Sequence, residues 1–252
     1  METHPSIEKA KAYLDLQFGR SSIEHHAVTG PFVTISRECG TGGNALGEEL
    51  ARRIDRLNTV DDAAWTVFDR NLVGQMLEDN HLSSSLARYL PEDKVSEVDA
   101  SVGEIVGLHP SIWTLVHQTN NLMRRLARLG HVILVGRGGN FATEGSARGL
   151  HVRLVGSTER RAERIARLLG LTPEQALAYG RRVDHARRDY VRSFFEADID
   201  DSGAYDLVLN MDRFSTESAA DLLVAVLRSR DWIGAGSASC AGVLRAAAEN
   251  VT

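Results

Sequence analysis

The residues able to do chemistry gather at Gly40-Thr41-Gly42-Gly43-Asn44, between the apolar run Phe32-Val33-Thr34-Ile35 and the helix-spaced Glu48-Glu49-Leu50-Ala51-Arg52-Arg53-Ile54. A strand, a glycine turn and a helix start leave backbone N–H groups free to surround an anion, and a nucleotide phosphate is the obvious candidate. The standard pattern GxxxxGK[ST] places a lysine on the outer phosphates and a hydroxyl on magnesium. Here Gly43 stands where the lysine belongs, Asn44 where the hydroxyl belongs and Arg37 where the first glycine belongs. The chain's lysines are Lys9, Lys11 and Lys94, so a cation at the phosphates has to be an arginine, with Arg37 the nearest. The competing reading of the same stretch is a tight strand-to-helix turn that binds nothing.

A chain of 252 residues, 43% hydrophobic and 25% charged, is the length and composition of one α/β domain with insertions. Its net charge of −5 gives no reason to expect a nucleic-acid polymer or a membrane as partner, and it does not decide an oligomeric state. Locally the balance reverses. Glu159 to Arg192 holds nine arginines against five acids, a net of 9 − 5 = +4, which makes an anion-attracting segment. Cys39 and Cys240 are too few for a disulfide framework and have no metal-ligand spacing. Cys39 reads as a small residue in a tight turn in preference to an activated thiol, since no His or Asp stands near it in sequence. The start of the chain has no signal-peptide pattern, and no apolar run reaches the ~20 residues that span a bilayer, so the expectation is a cytoplasmic protein.

The elements that must position these groups follow from hydrophobic periodicity. Residues 1–30 read as a short helix (Ile7 to Phe18) and a linker, and 231–252 as a tail. Strands are expected at Phe32–Arg37, Trp65–Asp69, His131–Val135, Leu150–Val155 and Tyr205–Asn210. Helices are expected after the glycine loop, over much of Leu72 to Gly130, at Thr158–Leu169, from Glu174 behind a Thr172-Pro173 cap, and at Ser215–Arg228. Their alternation argues for a parallel sheet with helices on both faces, and ligands bind such sheets at the carboxyl ends of the strands. Residues 37–44, Asp69 and 136–140 all fall at those ends.

Four segments together resemble the cytidylate kinase-like family of P-loop nucleoside monophosphate kinases. They are Ile35-Ser36-Arg37-Glu38-Cys39-Gly40-Thr41-Gly42-Gly43, Val132-Ile133-Leu134-Val135-Gly136-Arg137-Gly138, Arg181-Arg182-Val183-Asp184-His185-Ala186-Arg187-Arg188 and Tyr205-Asp206-Leu207-Val208-Leu209-Asn210. The resemblance covers about residues 31–230. It implies a P-loop kinase sheet, a helical acceptor-side region over 70–130 and a mobile arginine-rich lid over 171–200. It further implies ATP and Mg²⁺ as cofactors and a small phosphorylated acceptor such as CMP.

On this reading the backbone of residues 40–44 holds the donor phosphates, Arg137 and Asp69 face the acceptor, and Arg37, Arg187 and Arg188 act on the transferred group. Arg181, Arg182, Asp184 and Arg192 complete the lid. Arginine suits the task because its planar fork binds phosphate bidentately and stays charged. The competing reading of the arginine helix is a solvated face laced with weak pairs. Asp69 reads equally as a helix cap, and Asp198, Asp200 and Asp201 read as turn residues in preference to a metal site. Two departures from cytidylate kinases stand out: the loop lysine is missing, and Gly138 replaces an aspartate that follows the Gly-Arg pair. A nucleotide-binding protein without catalysis and a kinase of a non-nucleotide acceptor are the alternative functions.

Overall fold

The computed structural model describes residues 30–57, 63–69, 112–136 and 138–234. The expected N-terminal helix, the acceptor-side stretch from 70 to 111, Arg137 and the tail from 235 lie outside the described residues.

Five short strands, β1 (Phe32–Arg37), β2 (Thr66–Phe68), β3 (Val132–Val135), β4 (Gly149–Val155) and β5 (Leu207–Asn210), form one sheet in the order β2-β3-β1-β4-β5. Every neighbouring pair is parallel. The helices are α1 (Gly43–Asp55), α2 (Ile112–Leu129), the single-turn α3 (Gly139–Ala142), α4 (Thr158–Leu169), α5 (Pro173–Phe195) and α6 (Thr216–Ser229). β1 lies at the centre because its β-branched residues can be buried on both faces, as a parallel strand requires. The glycine loop therefore leaves the sheet between the exits of β3 and β4.

The two faces of the sheet differ. On one, Val33, Ile35, Ile133, Val135, Leu150, Val152 and Leu154 pack against Leu46, Leu50 and Ile54 of α1 and Leu223 and Leu227 of α6. Full burial of each such leucine or isoleucine contributes about 1.5–3 kcal/mol, and their spacing along α1 explains why that segment is a helix. On the other face Phe32, Val132 and Leu134 pack against Met123, Leu126 and Ala127 of α2. Towards β4 this second face turns polar. Thr34 Oγ1 and His151 Nδ1 are 2.8 Å apart, and Arg153 donates to Ser36 Oγ at 3.2 Å.

Local signals set the helix ends. Thr172 Oγ1 accepts a hydrogen bond from Gln175 N–H while Thr172 N–H donates to Gln175 Oε1, a capping box with Pro173 in the first turn. Ser215 caps α6 by accepting from Ser218 N–H. The segment expected as a lid, 171–200, is mostly one helix: α5 runs unbroken to Phe195, and in its second half Tyr190 and Val191 are buried with Val116 and Ile199 in a core cluster of their own. Among the described residues no helix is long and apolar enough to cross a membrane.

Candidate functional site

The glycine loop has an inner side bonded to the protein and an outer side that is not. On the inner side, Glu38 N–H donates to Leu154 O at 3.0 Å, and the Glu38 carboxylate accepts from Gly156 N–H at 2.9 Å. Cys39 N–H donates to Asp184 Oδ1 at 2.7 Å. Arg161 donates to Cys39 O at 3.0 Å, to Gly156 O at 3.0 Å and to Asp184 Oδ2 at 2.6 Å. Arg164 spans Gly40 O and Met211 O. The Thr41 hydroxyl donates to Glu38 O at 2.8 Å and closes the turn.

On the outer side, Gly42 is the N-cap of α1 with φ 84°, a left-handed conformation that glycine adopts without strain. No side chain caps this helix, and among the described residues no backbone acceptor is bonded to the N–H groups of Gly42, Gly43, Asn44 or Ala45. A Cβ on Gly42 would meet nothing within 4 Å. Such N–H groups at a helix start, with Gly42, Asn44 and Ala45 exposed, carry a partial positive charge suited to an anion.

Arg37 lies across this helix start. Its Cγ and Cδ come within 3.2 Å of the place a Gly43 Cβ would take, and its Nη1 is 1.9 Å from where a Gly136 Cβ would stand. The guanidinium thus ends at the β3 exit. Arg187 donates to Arg37 O at 3.0 Å and lies 3.6 Å from Asp184 Oδ1, its side chain only 14% exposed. Arg187, expected to act on the transferred group, thus also ties α5 to the end of β1. Arg188 bonds Asp200 at 2.8 Å, and Asp200 in turn pairs with the buried Arg153. Burial acts to raise the Asp200 pKa, but Arg188 and Arg153 outweigh it and hold the carboxyl below its ordinary value. Arg37, Arg153, Arg187 and Arg188 line one narrow cleft with Glu38 and Asp184.

The lid residues separate. Asp184 is buried in the loop brace, whereas Arg181, Arg182 and Arg192 are exposed, with Arg182 over the Tyr179 ring at 5.5 Å. Asn44 Nδ2 donates to Asp69 Oδ2 at 3.0 Å, which brings the residue at the hydroxyl position beside the carboxylate that ends β2. Asp198 and Asp201 are turn residues as expected, bonding Asp200 N–H and Gly203 N–H. Among the described residues no three His, Cys, Asp or Glu side chains group as a metal site. Burial raises the Cys39 thiol pKa against the lowering effect of Arg187, which fits a packed turn residue and no activated nucleophile. A Cβ on Gly138 would come 2.6 Å from the Phe195 ring, so the ring fills the space an aspartate would need. A larger cavity of about 510 Å³, bordered by Glu144, His151, Asp201 and Tyr205, lies away from the loop on the polar sheet face, and its acidic rim does not suit a phosphate.

Sequence reading did not single out Arg153, counted Arg161 and Arg164 only as members of the basic stretch, and took Asp200 for a turn residue; Arg153 left a signal as a lone arginine in the run Val152-Arg153-Leu154-Val155.

Solved structures share this architecture. A protein of Eubacterium ventriosum ATCC 27560 is 17% identical with a TM-score of 0.59, the match covering 79% of this chain and 99% of that one. Shikimate kinase from Bacteroides thetaiotaomicron is 15% identical with a TM-score of 0.45, over 79% of this chain and 98% of its own. A gluconokinase from Sinorhizobium meliloti 1021 is 12% identical with a TM-score of 0.42, over 81% and 99%. At these identities the likeness concerns the fold. No curated protein matches the chain. The family model described as the cytidylate kinase-like family matches residues 32–213 and so takes in β1, the glycine loop, the β3 exit, the arginine helix and β5. On that match, over well more than half its length, the chain belongs to the cytidylate kinase-like family.

Proposed function

We propose that the protein transfers the γ-phosphoryl group of ATP to a small phosphorylated acceptor, a nucleoside monophosphate with CMP the first to test. The observation that carries this reading is the outward nest of N–H groups at Gly42, Gly43, Asn44 and Ala45, set in a chain of this family. Phosphoryl transfer asks a protein for positioning and charge neutralisation and for no covalent nucleophile. The nest would hold the donor phosphates. An acceptor phosphate oxygen then bonds to the γ-phosphorus as the bond to the β–γ bridging oxygen breaks, and ADP leaves with that electron pair. The acceptor oxygen is already ionised near neutral pH, so no general base is needed.

Arg37, whose stem covers Gly43 beside the nest, and the half-exposed Arg188 would supply charge to the equatorial oxygens. Asn44 and Asp69 are joined at the loop by the Nδ2–Oδ2 hydrogen bond, and the Asp69 carboxylate, with the Asn44 amide turned to present its oxygen, would hold Mg²⁺ as hard oxygen donors. Mg²⁺ bound with ATP would neutralise charge on the β and γ oxygens. Phe195 at the position of the family aspartate removes a carboxylate from base selection, which is why the acceptor is proposed as a class.

Gly42→Asp tests the placement. Aspartate tolerates a left-handed backbone better than most residues, and nothing lies within 4 Å of the new Cβ, so the fold should survive. Calorimetry should show ATP affinity lowered by at least about 100-fold through charge and steric conflict with the phosphates, since like charges in a site cost several kcal/mol. Gly42→Asn, equal in shape and uncharged, should lose less. Unchanged affinity in a folded Gly42→Asp protein would move the nucleotide elsewhere.

A further inference from the structure

We infer that Arg37 is the catalytic cation of this site, reaching by its side chain the place that a loop lysine reaches in the standard pattern, and that Gly43 is a glycine to give it passage. The inference rests on the phosphotransfer reading above and assigns one of its central roles.

The geometry is specific. Gly43 is an ordinary helical residue with no positive φ, so its backbone does not require glycine. Glycine inside a helix is about 0.5–1 kcal/mol worse than alanine, so a packing reason is needed. The packing reason is the Arg37 stem, 3.2 Å from the absent Cβ, which covers Gly43 and leaves it buried. A lysine at 43 and an arginine at 37 exclude one another in this arrangement. At the far end, Nη1 occupies the ground a Gly136 Cβ would need, at 1.9 Å. Substituting either glycine would push the guanidinium off its path.

The path also has a direction. Arg37 is the last residue of β1, where Arg187 holds its carbonyl and Glu38 N–H is bonded to Leu154 O. The strand end is therefore fixed on both sides, and the side chain starts from a rigid point. From there the guanidinium crosses the start of α1, where the donor phosphates would lie, and ends at the β3 exit. It thus lies between the donor loop and Gly136 at the end of β3. A phosphoryl group in flight passes between those two points, with its charge spread over three equatorial oxygens, and a fixed planar cation there meets it. Arg37 stays protonated throughout; the only bonds that change are those at the γ-phosphorus.

The experiment compares wild type, Arg37→Ala, Arg37→Met, Gly43→Lys and Arg37→Ala/Gly43→Lys in two readouts: ATP consumption with CMP and a panel of other acceptors, and calorimetric affinity for ATP against ADP. Arg37→Met keeps the stem over Gly43 without the charge and is the variant to read if Arg37→Ala does not fold. Loss of one fixed transition-state donor predicts kcat/KM lowered by about 100- to 1000-fold in both, together with loss of any preference for ATP over ADP. Adding Gly43→Lys to Arg37→Ala should regain about tenfold, as the vacated space admits a lysine whose charge can reach the phosphates. Gly43→Lys alone should lose activity, because its side chain meets the Arg37 stem. Turnover and ATP preference both unchanged in Arg37→Met would overturn the inference. A wild type without turnover on any acceptor would instead remove the phosphotransfer reading, and the ATP-to-ADP preference of the Arg37 variants would then decide the inference alone.

Discussion

Arg161 and Arg181 belong to the same basic stretch of sequence and do different things. Arg161 is 11% exposed and bonds two loop carbonyls and the buried Asp184. Arg181 sits exposed on the outer face of α5. Arg164 and Arg187 join the first kind, Arg182 and Arg192 the second, and Arg188 stands between them, half exposed and paired with Asp200. A cluster counted along the chain is thus not one patch in space. Several of its charges brace the glycine loop, and the others stand exposed to solvent.

The strongest way to break this division is Asp184→Ala. It removes the acceptor of Cys39 N–H and strips both Arg161 and Arg187 of their carboxylate. Breaking a buried pair by removing one partner costs about 3–5 kcal/mol, and chemical denaturation should show a loss of that size, with Asp184→Asn recovering part. A loss in the range of about 0–1 kcal/mol, as for exposed pairs, would place Asp184 with the solvated charges.

A finer separation comes from neighbouring residues. Arg187→Ala should cost about 1.5–3 kcal/mol, the worth of a hydrogen bond from a charged group, and lower turnover with it. Arg188→Ala should change stability by less than about 1 kcal/mol while lowering kcat/KM by about 10- to 1000-fold, 1.4 to 4 kcal/mol of transition-state stabilisation. Melting curves and ATP-consumption kinetics on the two variants check this. Full activity in Arg188→Ala would return it to the solvated face with Arg181.

The smallest effect is on pH. Asp200 has a folded-state pKa below its ordinary 3.8, so the folded protein binds fewer protons there than the unfolded chain as pH falls through that value. Its contribution is present above 3.8 and is lost as the pH drops through the folded-state value. Melting temperature against pH should fall on this acid limb, and Asp200→Asn should flatten it slightly. An unaltered limb would mean that the Arg153–Asp200–Arg188 chain adds nothing to stability.

Much of this was legible in residue order. The run Phe32-Val33-Thr34-Ile35 announced the central strand, since β-branched residues without alternation suit a strand buried on both faces, and Val132–Val135 did the same. Thr158–Leu169 was bounded by its own Ser157 and Gly170, and Thr172-Pro173 marked the start of α5. The glycine loop was located by composition alone. The strand order was not legible this way, because β1 pairs with β3 and β4, which are remote in sequence, and periodicity carries no information about neighbours.

What the sequence determined by itself was local: which segments are strands and helices, where the glycine loop stands, and that Gly43 occupies the position of the standard loop's lysine. Those follow from short-range sterics, capping and residue type. What only the tertiary structure decided was pairing. Cys39 N–H meets Asp184 across 145 positions, and Arg187 meets the Arg37 carbonyl across 150. Helical spacing says which arginines share a face, but a face acquires its partner only when the sheet sets α4 and α5 beside the loop. The route of Arg37 over Gly43 to Gly136 is of the same kind, since it exists only once β1, α1 and β3 are packed.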